Sequence, residues 1–124
     1  MNKSIKENNM SEELCEKLEL SLDDLKAIKI VTLDVKEIAS FTDYMIIASG
    51  RSNTHVRALA EKIIETAKKY NTDAIGTEGQ DMGEWVLIDL GDIVVHVMQQ
   101  STRDHYQLEK LWSLDNPGDP SLSN

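Results

Sequence analysis

A single cysteine, Cys15, leaves no internal disulfide to form, so the fold must cohere through its core alone. Aromatic residues are scarce, 5% of 124 residues against 40% hydrophobic overall, so that core must be mainly aliphatic. Basic charge is short too: 13 Lys and Arg against 22 Asp and Glu leave a net charge of −9. Binding nucleic acid by neutralising phosphates requires a basic stripe, and none is visible. Lys62, Lys68 and Lys69 alternate with Glu61 and Glu65 instead. An acidic chain is drawn to basic partners, mainly through faster encounter. No apolar run approaches the twenty or so residues that a membrane helix needs, and residues 1–10 carry no apolar signal segment. The expectation is a soluble, cytoplasmic protein without membrane contact.

The motifs of catalysis are missing as well. Two-metal transfer chemistry needs paired carboxylates, commonly as D-x-D on one strand, and the chain has no D-x-D. Asp89 and Asp92 stand three apart across a predicted turn and should diverge. His55, His96 and His105 fall on different elements without zinc-ligand spacing. There is no G-x-S-x-G, and Cys15 sits on the apolar side of a predicted helix, where a buried thiol is the simpler reading. The loop SGRSN at 49–53 precedes a helix and so resembles a backbone anion site, but no phosphate-loop or dinucleotide glycine pattern accompanies it. Gly50 as a turn residue and Ser52 or Asn53 as a helix cap explain it more simply. No catalytic residue, cofactor or metal is therefore expected. A nucleotide-binding or nucleotidyltransferase-type enzyme using the 49–53 loop stands as the alternative.

What is present is a regular order of elements. Residues 1–10 are polar and expected to be disordered. Ser11 is placed to cap a helix whose stripe is Leu14, Leu18, Leu22 and Leu25 with Cys15 alongside. Strands follow at 28–35 and 44–48, joined by a connection at 36–42. A helix then runs to about Tyr70, with Val56, Leu59, Ala60, Ile63, Ala67 and Tyr70 as its buried stripe. A short strand near 73–77, a Gly-rich bend and a hairpin lead to a last helix from Ser101 to about Trp112, with Leu108, Leu111 and Trp112 facing inward. The end of the chain, 114–124, holds both prolines and is expected to be a disordered tail. One α/β domain over 11–113 follows, with a mixed, roughly five-stranded sheet and flanking helices.

The hairpin, WVLIDLGDIVVHVM at 85–98, is the most informative stretch. A two-residue turn at Gly91-Asp92 pairs Leu90 with Ile93, Asp89 with Val94, Leu87 with His96 and Trp85 with Met98. Side chains alternate across a strand, so Val86, Ile88, Leu90, Ile93, Val95 and Val97 share one wholly apolar face. Trp85, Leu87, Asp89, Val94, His96 and Met98 share the other. Burying Asp89 or His96 without a partner costs about 1–3 kcal/mol or more, so this mixed face is expected to stay wet. An exposed Trp, Leu and Met patch edged by charge has the composition of a protein-docking surface. Tyr106, on the helix just after the hairpin, is placed to extend it.

Taken together, DDLKA at 23–27, DYMIIASGRSNTHV at 43–56, EG at 78–79 and WVLIDLGDIVVHVM…R…YQLEKLW at 85–112 resemble the ribosomal silencing factor family, RsfS, also called Iojap or YbeB. The matching segments cover roughly residues 12–113. Many members have Phe in place of Met98 and acidic residues in place of Gln99 and Gln100. The resemblance implies a nucleotidyltransferase-like α/β fold without the catalytic acids, and a homodimer in the free state. It also implies binding to the large ribosomal subunit through ribosomal protein L-fourteen, with the small subunit kept from joining and translation lowered when nutrients are scarce. Ribosomal proteins are a basic class of partner, which suits the acidic chain. The contact residues so implied are Trp85, Asp89 and Tyr106, within the candidate set Trp85, Leu87, Asp89, His96, Met98 and Tyr106.

Overall fold

Two central strands organise the computed structural model, which describes residues 3–107 and 110. The chain runs α1 (Lys3–Asp24), β1 (Ile28–Asp34), β2 (Tyr44–Gly50), α2 (Asn53–Lys69), β3 (Gly76–Glu78), β4 (Trp85–Asp89), β5 (Ile93–Gln99) and α3 (Gln100–Tyr106). Five strands form one mixed sheet in the order β1-β2-β5-β4-β3. Only β2 and β5 run parallel; β1 pairs with β2, β4 with β5 and β3 with β4 in antiparallel fashion. β2 and β5 lie inside the sheet, and nearly every residue on them is buried.

One face of the sheet is sealed by α1 and α2. Ser52 caps α2, its Oγ accepting the His55 N–H at 3.1 Å. Val56, Leu59, Ala60, Ile63 and Ala67 then repeat at helical spacing toward the sheet and are fully buried. Tyr70, the last residue of the predicted stripe, lies past the helix end and is 43% exposed. From α1 come Cys15, Leu18 and Leu22, whereas Leu14 is half-buried and Leu25 reaches solvent. Beneath them sit Val86, Ile88, Leu90, Ile93, Val95 and Val97, none more than 6% exposed. Each such side chain removed from water contributes about 1.5–3 kcal/mol.

Two expectations need correction at the N-terminal end. α1 begins at Lys3, so the stretch expected to be disordered over 1–10 is helical from residue 3. Ser11 is consequently an interior helical residue rather than a cap. Its hydroxyl donates instead to Asp92 Oδ2 at 3.3 Å, tying α1 to the hairpin turn. At the other end, Leu108, Leu111, Trp112 and the 114–124 tail lie outside the described residues, and α3 closes at Tyr106 with Gln107 as its cap.

Candidate protein-docking face

The turn of the β4–β5 hairpin sets everything that follows. Leu90 N–H donates to Ile93 O at 2.9 Å, closing a two-residue loop with Gly91 at φ 89°. That left-handed angle is open to glycine and strained for other residues. Asp89 holds the turn from below, its Oδ1 accepting the Gly91 N–H at 2.9 Å. The resulting register pairs Trp85 with Met98, Leu87 with His96 and Asp89 with Val94, as alternation requires. Trp85, Leu87, Asp89, Val94, His96 and Met98 do share one face.

That face is not uniformly wet. Met98 is fully buried, and Val94 and His96 are 4% and 5% exposed. The connection between β1 and β2 covers Met98. Val35 accepts from both Ile38 and Ala39 N–H in a tight turn, which folds back onto the sheet. Val35, Ile38 and Ala39 then pack with Met45, Ile47, Met98 and Trp85 in a second, smaller apolar cluster. The expectation that His96 and Met98 line an exposed patch is therefore corrected. Trp85, Leu87 and Asp89, on the outer of the two strands, are only half-buried.

His96 escapes the penalty that argued for its exposure because it has a partner. Trp85 Nε1–H donates to His96 Nδ1 at 3.0 Å, and the ring centroids lie 5.9 Å apart. An Nδ1 that accepts a hydrogen bond belongs to a neutral imidazole. Burial pushes the His96 pKa down to about 4, in keeping with that state. The histidine thus works as a fixed acceptor that sets the indole's tilt.

Tyr106 completes the outer strip. It ends α3, is 55% exposed, and its ring centroid lies 5.1 Å from that of Trp85 at an interplanar angle of 51°. His105 meets Tyr106 edge-on at 4.8 Å. An open hollow of about 340 Å³ sits among Glu84, Trp85, Ser101, Thr102, His105 and Tyr106. Aromatic rings around a shallow hollow with Glu84 at its edge have the composition of an anchor site for a protein partner.

The alternative loop at 49–53 has its groups committed elsewhere. Arg51 N–H donates to His55 Nδ1 at 3.0 Å, His55 N–H to Ser52 Oγ, and His55 Nε2 meets Leu25 O at 2.7 Å. A Cβ on Gly50 would stand 2.9 Å from Val56 Cγ2, so the glycine serves close strand–helix packing. Cys15 is buried, and burial with neighbouring carboxylates raises its thiol pKa to about 12. Arg103 was not singled out from sequence as a positioned group. It is 4% exposed, and its Nη1 donates to Ile28 O at 3.3 Å and Ser49 Oγ at 3.0 Å, docking α3 on the sheet. In the sequence it stood out only as the arginine of the 85–112 segment, just after the hairpin.

Fold and site together define the class: a mixed-sheet α/β domain displaying an aromatic, acid-edged strip beside its last helix. The family profile described as "Ribosomal silencing factor during starvation" matches residues 8–123. The chain is 44% identical over 100 residues to ribosomal silencing factor RsfS of Haemophilus influenzae, covering 81% of this chain and 98% of that one. It is 43% identical over 97 residues to the RsfS of Chromobacterium violaceum, covering 78% and 80%. A crystal structure of a protein from Chromobacterium violaceum superposes with a TM-score of 0.80 at 42% identity, covering 82% and 84%. The chain belongs to the ribosomal silencing factor (RsfS) family.

Proposed function

We propose that this protein silences translation by occupancy rather than chemistry. It docks on the large ribosomal subunit through ribosomal protein L-fourteen and holds the small subunit off under nutrient limitation. The free protein is a cytoplasmic homodimer and not an enzyme. Family membership supports the ribosomal setting, and the observation that carries the docking face is the half-exposed Trp85–Tyr106 pair. Trp85 and Leu87 anchor, Tyr106 stacks on the partner, and the acidic edge at Glu84 and Asp89 faces a basic surface. His96 and Met98 act from beneath, holding Trp85 in place without touching the partner. Nanomolar occupancy corresponds to about −12 kcal/mol, within reach of a standard-size interface with a few such anchors.

Co-sedimentation with purified large subunits tests the reading. Trp85→Ala should weaken binding by about 2 kcal/mol or more, roughly thirtyfold. Because Trp85 also packs on Met98, Tyr106→Ala serves as the companion variant, its ring being more than half exposed. Retained binding by a folded Tyr106→Ala protein, together with unimpaired block of subunit joining, refutes the face.

A further inference from the structure

The structure gathers three cations where the sequence shows no basic stripe. Lys29 from β1 and Arg103 and Lys110 from the C-terminal end line one open pocket of about 440 Å³, with Gln100, Asp104 and Gln107. They lie 74 and 7 residues apart in sequence, so only folding brings them together. We infer that this pocket is a phosphate site, taking a backbone phosphate of ribosomal RNA when the protein is docked. The inference rests on the ribosomal reading above and adds a second point of contact to it.

Local charge supports it first. The chain carries −9 overall, yet among the described residues this pocket is lined by three cations and one carboxylate. That carboxylate, Asp104, already accepts the Gln100 amide at 3.1 Å. Among the described residues neither Lys29 nor Lys110 has an ion-pair partner. Like charges gathered in one hollow repel, and a bound anion relieves that repulsion. Arg103 is the fixed member, held by Ile28 O and Ser49 Oγ as the pocket floor. Lys29 sits at the irregular start of β1 with φ 50° and is exposed, as is Lys110.

Position supports it next. Ser49 lies near the carboxyl end of β2, one of the two parallel strands, and ligands of open α/β sheets bind outside such ends. α3 separates this pocket from the aromatic hollow: Ser101, Thr102, His105 and Tyr106 turn to the hollow, Gln100, Arg103, Asp104 and Gln107 to the cations. The two sites thus lie one on each side of the same short helix, and a large ribosomal subunit, being largely RNA, offers phosphate beside its proteins. Such contacts fix orientation and read no sequence, so they ask no base specificity of an acidic protein.

Salt dependence tests it. Each phosphate neutralised adds about 0.7–0.9 to the steepness of log K against log salt. A double variant Lys29→Asn and Lys110→Gln keeps an asparagine at the left-handed position, where it is tolerated. Its slope on purified large subunits should be shallower by about 0.7–0.9, so a fourfold rise in salt costs it about two-and-a-half- to three-and-a-half-fold less affinity than the parent. Binding to isolated, RNA-free L-fourteen should be unchanged, and arginine at both positions should restore the slope. An unaltered slope overturns the inference. So does an equal loss on the isolated protein, which would make the lysines protein contacts. Saturable binding of pyrophosphate with an unaltered slope assigns the pocket to a free phosphate compound and also overturns the RNA source. Tyr106→Ala run alongside separates the readings: if it binds as the parent does, the docking face fails, whatever the lysines do.

Discussion

The two faces of the central sheet are made from the same strands and come out differently. Toward α1 and α2, β4 and β5 present only aliphatic side chains, and all of them are sealed. On the opposite side β5 is buried, its Met98 under the 35–39 turn, while β4 keeps Trp85, Leu87 and Asp89 half open. The difference lies in what covers each strand. Two helices with apolar stripes close a face completely; a five-residue turn covers only part of one. A surface left open beside a surface tightly closed gives the strip proposed to dock a rigid backing, and preorganised anchors lose little freedom on binding.

Substitutions on the sealed face should have the largest effect on stability. Ile88→Ala removes a fully buried side chain and should cost about 2–5 kcal/mol in urea unfolding. Large-subunit binding by the fraction that stays folded should be unchanged. A cost below about 1 kcal/mol would mean that the two faces are not packed as differently as described.

Acid should act on the other face, through His96. Its folded pKa of about 4 lies below the ordinary value of 6.5, so between these pH values the unfolded chain binds the extra proton. Stability should fall as pH drops from about 6.5 to 4, by up to about 3 kcal/mol from this group. His96→Gln should flatten that part of the profile relative to the parent. If the two profiles run parallel, the buried neutral imidazole is wrong. At neutral pH the same variant should loosen Trp85, read as a shift and broadening of its fluorescence.

Smaller still is the turn. Gly91→Ala places a Cβ on a residue at φ 89° and should cost about 1–2 kcal/mol, with little change in subunit affinity. A loss of affinity exceeding the loss of stability would show that the turn itself touches the partner.

Much of this arrangement was legible in the residues. The hairpin register, the split of its two faces and the stripe of α2 as far as Ala67 follow from periods of 2 and 3.6, and tertiary packing did not disturb them. The burial of His96 was not legible by the same route. Alternation put Trp85 and His96 on one face but is silent on a diagonal hydrogen bond between them. Nor does any periodicity mark Val35, Ile38 and Ala39 as a cover, because an irregular turn has no repeat to read. The basic pocket escaped for a related reason: Lys29, Arg103 and Lys110 are isolated charges along the chain. Arg103 was visible as a charge, not as the peg between α3 and the strands.

The central claim is that the open strip around Trp85 and Tyr106 is where the large subunit is held. Equilibrium binding of Tyr106→Ala to purified large subunits addresses it most directly, because the exposed phenol can be removed with little disturbance to the core. The account predicts affinity reduced by about tenfold or more, with an unfolding midpoint within a few degrees of the parent. Parental affinity from a protein folded to the parental extent would contradict it.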